Sequence, residues 1–345
     1  MSHQITQRDG LFTVREPAWH GLGSVLDHYP TREEAKEIAH PWEPVTEPVY
    51  RRILEVGSHD ASCAQYGECF ADHLSERYEQ LPSFQATVRS DDGHVLGVTS
   101  NTLEIVTNKE MYDIAEVLEG NASDVRYETG GSLKGGAKVW LLLRLNEPLE
   151  VKGDPRGAVI PYYALQNSHD GTGAFRGQAL MTRIVCDNTS QAADMEASTR
   201  GTEFTFRHTK NIAERVEEAK EALAGWRVSI EWYQRFTQHL LKAHITPADR
   251  KEFVDRFIPM PPPHMSSDRV QRNVMEARYT LKGILLGETC ENIKDSAYGL
   301  VQASIEYQEH YRRAHTAETR FRRAYLDRST VVADAVGLAR EIAHV

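Results

Sequence analysis

Val125-Arg126-Tyr127-Glu128-Thr129-Gly130-Gly131-Ser132-Leu133-Lys134-Gly135-Gly136-Ala137-Lys138-Val139-Trp140-Leu141-Leu142-Leu143-Arg144-Leu145 is the stretch that decides the fold class. Val125 to Thr129 and Lys138 to Leu145 carry β-branched, aromatic and aliphatic side chains in runs of strand length, and the glycine-rich Gly130 to Gly136 separates them as an inter-strand loop. Downstream, Ala158 to Gln166 and Ala174 to Val185 read as strands on either side of Asp170-Gly171, a hairpin signal. Upstream, Phe84 to Arg89, the turn Asp91-Asp92-Gly93, His94 to Thr99 and Leu103 to Thr107 read as a hairpin or meander. Asn108 is expected to cap a helix over Lys109 to Leu118, whose Met111, Ile114, Ala115 and Leu118 would lie on the sheet. The expected class is therefore α+β: a mostly antiparallel sheet with a packed helix, followed by a long-helix C-terminal region.

The flanking segments complete the expected organisation. Residues 1–80 read as an irregular N-terminal segment with one short helix opened by Thr31, and residues 81–205 as the antiparallel core. Residues 206–258 read as a heptad helix and a short helix. In the first, Ile212, Val216, Ala219, Leu223, Trp226, Ile230, Tyr233 and Leu240 form a seam broken only at Thr237, suited to a helical hairpin or an oligomer contact. Thr246-Pro247 opens the short helix, and residues 259–267 form a proline-rich linker. Residues 268–345 hold C-terminal helices over about Asp268 to Leu286 and Ile293 to Leu326, with a last one from near Ser329.

Composition bounds the function classes. The 345 residues include 40 Lys+Arg, 50 Asp+Glu and 40% hydrophobic residues, ordinary for a soluble protein of about two domains and unlike a disordered tail or a fibre. No apolar run approaches the roughly 18 residues of a membrane span, and Met1-Ser2-His3-Gln4 lacks a signal-peptide pattern, so a cytoplasmic protein is expected. Cys63, Cys69, Cys186 and Cys290 form no C-x-x-C pair, which suits a reducing compartment. Residues 1–150 carry a net charge of −12 and the remainder +2, which argues against non-specific duplex binding and leaves the acidic front as either a contact surface or a solubility surface.

Several side-chain patterns invite chemistry. Around the last long helix Arg312, Arg313, Arg320 and Arg323 face away from Leu300, Ala303, Tyr307, Tyr311, Ala314, Phe321 and Tyr325; the arginines either track phosphates or form a solvated face over a packed core. Gly130 to Gly136 lacks the G-x-x-x-x-G-K-[ST] spacing and is followed by a strand, so it is a phosphate cradle only outside that motif. Ser168-His169-Asp170 holds triad residue types, but adjacent residues of one turn cannot point at one another, and turn chemistry explains Asn167 to Gly171. His59, Cys63, Cys69 and His73 form an H-x3-C-x5-C-x3-H set able to offer four zinc ligands, although the spacing matches no standard finger. Cys186 ends an apolar strand, where a buried structural thiol is the default. Trp19-His20-Gly21-Leu22-Gly23 is a docking arm, a ligand loop or a packed segment. No paired-carboxylate, Rossmann, kinase or H-E-x-x-H signature is present, so no enzymatic activity and no cofactor are expected.

Taken in order, Pro17 to Gly23, Tyr127 to Leu133 leading to Val139-Trp140, Asn167 to Gly171, Arg183-Ile184-Val185-Cys186-Asp187-Asn188-Thr189, Arg207-His208-Thr209 and Ala297-Tyr298-Gly299-Leu300 through Glu306-Tyr307 resemble the phage/plasmid-like protein family of unknown function, over about residues 1–330. The resemblance implies a mobile-element origin and carries no catalytic residue. Two places depart from the family pattern: residues 55–80, which resemble an insertion, and Ser190-Gln191. The element order also looks like the core of the RecT/Redβ-like single-strand annealing proteins, which implies a homo-oligomer that binds single-stranded DNA. In that reading Arg312, Arg313, Arg320 and Arg323, with Lys134 and Lys138, contact phosphate. The alternative is a protein-binding regulator or phage assembly factor, with a phage or host protein at its acidic front and no DNA affinity. A third class is a small-molecule or nucleotide enzyme using the glycine loop near His169 and Cys186.

Overall fold

The two strands read from Val125 to Leu145 lie in the middle of a broad sheet. The computed structural model describes residues 8–14, 23–56, 74–120, 125–145, 148–183, 188–191, 203–205, 212–312 and 330–345. Its strands are β1 (Leu11–Val14), β2 (Ser24–Leu26), β3 (Pro44–Val56), β4 (Leu74–Arg89), β5 (Val95–Ser100), β6 (Val125–Leu133), β7 (Lys138–Leu145), β8 (Leu149–Val151), β9 (Asp154–Ser168), β10 (Arg176–Arg183), β11 (Asn188–Gln191) and β12 (Glu203–Thr205). Its α-helices are α1 (Arg32–Ala39), α2 (Asn108–Gly120), α3 (Ile212–Lys242), α4 (Pro247–Phe257), α5 (Asp268–Leu285), α6 (Ala297–Glu306) and α7 (Thr330–Ile342).

The main sheet runs β11-β10-β9-β7-β6-β1-β2, with β8 on β9 and β12 on β10; every pair is antiparallel except β1 with β2. Its period-two alternation selects the core. Val139, Leu141 and Leu143 on β7, with Tyr163 and Leu165 on β9, face Met111, Tyr112, Ile114, Ala115 and Leu118 of α2 in one buried cluster, while Leu142, Tyr162, Ala164 and Leu180 cluster apart on the other face. A second large cluster joins Val151, Val159 and Met181 of the sheet to the C-terminal half of α3 and to α4–α7. The class is α+β, as the central stretch implies.

The described residues among 1–80 form more regular structure than their prolines suggest. Apart from α1, they hold β1 and β2 of the main sheet and the 13-residue β3, which pairs with β4 and through it β5 in a separate three-stranded sheet. Pro44 and Pro48 are tolerated because β3 is an edge strand, where a missing N–H need not face a neighbour. The hairpin expected from Phe84 to Thr99 thus belongs to this second sheet. Leu103 to Thr107 is no strand: side chains take up its carbonyls, Gln85 Nε2 donating to Leu103 O at 2.8 Å and Asn167 Nδ2 to Val106 O at 2.8 Å.

Helix ends follow local chemistry with two corrections. Thr31 caps α1, accepting from Glu34 N at 3.3 Å, and Thr246 caps α4 in a reciprocal capping box with Asp249 behind Pro247. For α2 the capping residue is Thr107, not Asn108: Glu110 N donates to Thr107 Oγ1 at 3.2 Å and Thr107 N to Glu110 Oε2 at 2.8 Å. The helix expected from Ile293 starts later and stops sooner. Ser296 caps α6 by accepting from Gly299 N, a π-turn over Tyr307–Tyr311 follows, and Arg312 is extended (φ −63°, ψ 129°). Every residue of α6 is buried, so it threads the second core cluster and has no solvated face.

The heptad helix exists as α3, but the described part of its seam is closed within the molecule. Trp226 packs on Tyr163 of the sheet with ring centroids 5.4 Å apart, and Tyr233 and Leu240 lie in the second core cluster. These positions are therefore not an oligomer contact. The side chains of Ile212, Val216, Ala219 and Leu223 lie outside the described residues. Among the described residues no helix is long and apolar enough to cross a membrane.

Candidate functional site

The residues singled out by sequence scatter. Lys134 is exposed on the β6–β7 turn with φ +56°, and Lys138 opens β7, its Nζ 3.0 Å from Thr172 Oγ1. Arg312 is exposed past the π-turn and donates to Gln308 Oε1 at 2.9 Å. Lys138 pairs with Ser168, whereas the cluster holding α6 meets β9 at Val159; nine residues of strand, ~30 Å, separate those places. Arg313, Arg320 and Arg323 lie outside the described residues, as do the zinc set His59, Cys63, Cys69 and His73, Cys186, and Trp19-His20-Gly21-Leu22. Among the described residues no group of three or more His, Cys, Asp or Glu is placed to hold a metal ion.

The glycine stretch is mostly strand and not an inter-strand loop. Gly130 and Gly131 sit inside β6, because a Cβ there would come within 2.6 Å of Leu141 and 2.7 Å of Leu11 as β1 and β7 close in. Only residues 134–136 turn, and the Gly135 amide is already bound to Asp9 Oδ2 at 3.1 Å. Gly136 has φ +102°, and a Cβ on it would lie 2.5 Å from Cζ2 of the buried Trp42. Gly136→Ala is expected to destabilise the protein by about 2–4 kcal/mol through combined strain and overpacking, read as a lowered urea midpoint with unchanged slope.

Around this turn the fold gathers buried polar groups that sequence reading missed. His40 donates from Nε2 to Gly131 O at 2.8 Å, so its Nδ1 accepts from the Tyr112 hydroxyl at 3.0 Å. Asn108, freed from capping, donates to Trp42 O at 2.8 Å and accepts from His169 Nε2 at 3.0 Å. His169 Nδ1 has no hydrogen-bond partner. Arg89 lies 4.4 Å from the centroid of the Trp42 ring, forks onto Asp91 at 2.9 and 2.7 Å, and donates to Arg8 O and Gly135 O. Burial pushes His40 down to about 4, with the Lys36 and Arg89 charges adding to it, and burial with nearby His40 pushes His169 down to about 3. Both imidazoles are neutral at pH 7.

Ser168-His169-Asp170 is turn chemistry. One Asp170 oxygen accepts from Ser168 Oγ at 2.5 Å, Thr172 N at 2.9 Å and Thr172 Oγ1 at 2.6 Å, while His169 turns away to Asn108. No nucleophile–base–acid relay exists in it.

A second buried network joins sheet to helices. Arg183, 1% exposed, donates from Nε to Asp154 Oδ2 at 2.8 Å and from Nη1 to Thr289 O at 2.8 Å. Burial raises the pKa of nearby Glu306, partly offset by a hydrogen bond from Thr289 and the His310 and Arg183 charges.

The β3–β4 ribbon presents exposed aromatic side chains beside an arginine. Beyond the irregular register at Pro48/Tyr50, Tyr50 pairs with Gln80 and Arg52 with Tyr78, which sets Tyr50, Arg52 and Tyr78 on one face. Tyr50 and Tyr78 are 52% and 61% exposed, and Arg52 is exposed as well. On the other face Arg51 donates to Glu79 at 2.7 Å, so the two arginines are divided between the faces. A sequence signal existed in the alternation of Tyr50, Arg52 and Leu54, masked by the surrounding prolines.

A family model described as a domain of unknown function, DUF932, matches residues 95–331. No curated protein and no solved structure matches the chain.

Proposed function

The chain belongs to the DUF932 family, whose domain runs here from β5 to the start of α7, and we propose that it is a non-enzymatic protein that binds single-stranded nucleic acid through the β3–β4 ribbon that precedes that domain. The observation that carries this reading is the ribbon face on which exposed Tyr50 and Tyr78 flank Arg52. Tyrosine rings offer flat surfaces on which unpaired bases stack, and an arginine between them takes a phosphate or a base plane. The net charge of −10 suits a protein that engages a strand locally and does not coat duplex. The resemblance to phage and plasmid proteins supports a role in recombination or replication in the host cytoplasm, where single strands arise. Arg312, Arg313, Arg320 and Arg323 are proposed as additional phosphate contacts, with Lys134 and Lys138 on a separate surface.

The test is fluorescence anisotropy with a labelled oligo-dT and a matched duplex across a salt series. Wild-type protein is expected to prefer the single strand and to weaken as salt rises. Tyr50→Ala combined with Tyr78→Ala is expected to weaken binding about tenfold or more. Absence of binding at low salt, or a double variant that binds like wild type, overturns the ribbon assignment. Changing the four arginines to Gln is expected to flatten the salt dependence, and an unchanged slope removes them from the interface.

A second reading, a protein-binding module, is favoured by the outer side of α5 and its C-cap, where Met275, Tyr279 and the capping Leu286 are 63%, 81% and 65% exposed at steps of four and seven. That reading expects no oligonucleotide binding, together with concentration-dependent association that Met275→Glu/Tyr279→Glu abolishes in sedimentation.

A further inference from the structure

Three remote chain segments enclose a cleft of about 410 Å³ away from the ribbon. One wall is the tight turn between β8 and β9, where Val151 pairs with Asp154 and Lys152-Gly153 form the connection, with Gly153 at φ +102°. The second wall is the end of α3 with Lys242 and His244, and the third is the segment from Asn292 to Ser296 that leads into α6. The last two walls are tied together: His244 bridges to Ser296, Ala297 N donates to Ala243 O at 2.9 Å, and Ile245 N donates to Asp295 O at 3.0 Å. The β8–β9 turn is anchored beside Lys152, because the next residue but one, Asp154, is the buried partner of Arg183.

Two lysines and one aspartate, Asp295, line this cleft. Lys152 from the β8–β9 turn meets Lys242 and His244 from the end of α3, and among the described residues neither lysine is engaged in an ion pair. The lining Asp295 is neutralised by its ion pair with Arg250, and Glu291 close by is engaged by Arg156 at 3.2 Å. Ser296 in the wall is the N-cap of α6, which sets the positive end of that helix beside the lysines. Leu241 and the buried Ile293 supply an apolar side, and the volume falls in the range of small-molecule sites.

We infer that this cleft binds a small phosphate-bearing molecule of up to mononucleotide size, with Lys152, Lys242 and His244 as its polar anchors. The cation type selects phosphate over carboxylate. The chain carries 29 Arg and 11 Lys, yet both cations that line the cleft are lysines, compact charges with three donors that suit a tetrahedral anion, whereas planar carboxylates are matched by the arginine fork. Asn292 and His244 can donate to the remaining oxygens, and the apolar side accommodates the organic part of the ligand.

Titration calorimetry and thermal unfolding of the full chain test this, with inorganic phosphate, AMP and succinate as probes. AMP or phosphate is expected to release or absorb heat at a single site and to raise the unfolding midpoint, with succinate at least about tenfold weaker. Lys152→Gln and Lys242→Gln are each expected to weaken AMP binding about tenfold, the loss of one charge-assisted contact. Both side chains are exposed, so the unliganded midpoint should stay within error of wild type. No response to millimolar phosphate or AMP, equal binding of succinate, or a Lys152→Gln/Lys242→Gln protein that binds like wild type overturns the assignment.

Discussion

Lowering the pH from 6.5 toward 4 is expected to unfold the protein cooperatively, with two protons taken up on unfolding. His40 and His169 are buried in their neutral forms, at about 4 and about 3 against the ordinary 6.5. A base with a depressed native value binds its proton more weakly folded than unfolded. Stability is therefore full above the unfolded value and falls as pH drops below it, until the native value is reached. At 1.36 kcal/mol per unit, each histidine removes ~3 kcal/mol by pH 4, and the two together rival the whole stability of an ordinary domain. Glu306 works the other way: its raised value makes the native state the better proton binder, so its contribution grows as pH falls.

Urea unfolding at a series of pH values, followed by tryptophan fluorescence, reads the effect directly. Near pH 5 the stability should change by roughly 2.7 kcal/mol per pH unit, the slope for two protons. His169→Gln halves that slope, because it keeps a polar side chain beside Asn108 and removes one titrating group. If that variant folds poorly, imidazole NMR signals of the wild type at pH 5.5 give the same answer: both rings should remain neutral. A slope near zero, or protonated rings at that pH, contradicts the assignment.

Asp154→Ala should cost about 3–5 kcal/mol, the expectation for stranding a buried cation. The Arg183 guanidinium is 1% exposed, and the change would take away the carboxylate that Nε donates to while Nη1 still donates to the Thr289 carbonyl at this junction of sheet and helices. The site leaves no slack, since a Cβ on Gly157 would fall 1.9 Å from Asp154 Oδ2. Combining Asp154→Leu with Arg183→Met should recover most of the loss, because neither change then leaves an unpaired charge. Equilibrium urea unfolding of the single and double variants decides it. Equal losses in both would mean that volume, not charge, matters at this position.

The ion pair shows the limit of reading along the chain. Arg183 ends a strand visible from its apolar run, yet nothing local marks it as buried, because its partner lies 29 residues earlier. His169 is similar: the turn containing it is legible from Asp170-Gly171, but its neutral state depends on burial and on nearby His40, which lies 129 residues earlier. Asn108 itself was misread because two adjacent residues, Thr107 and Asn108, both cap well; packing used the first for the helix end and the second for the interior. The ribbon was missed for the opposite reason. Proline signals outweighed an alternation that an edge strand can sustain.

The α+β class, the β6–β7 pair, the Asp170-Gly171 hairpin, the helix caps at Thr31 and Thr246 and the long α3 follow from sequence alone, since each depends on periodicity or on contacts within a few residues. Tertiary structure alone decided that Gly130 and Gly131 are strand, that two histidines are neutral, that the described half of the α3 seam is internal, and that Lys152, Lys242 and His244 meet in one cleft. These outcomes depend on which distant surfaces pack and how closely. Burial, which sets both allowed side-chain volume and the cost of charge, is a property of that packing and not of any local window.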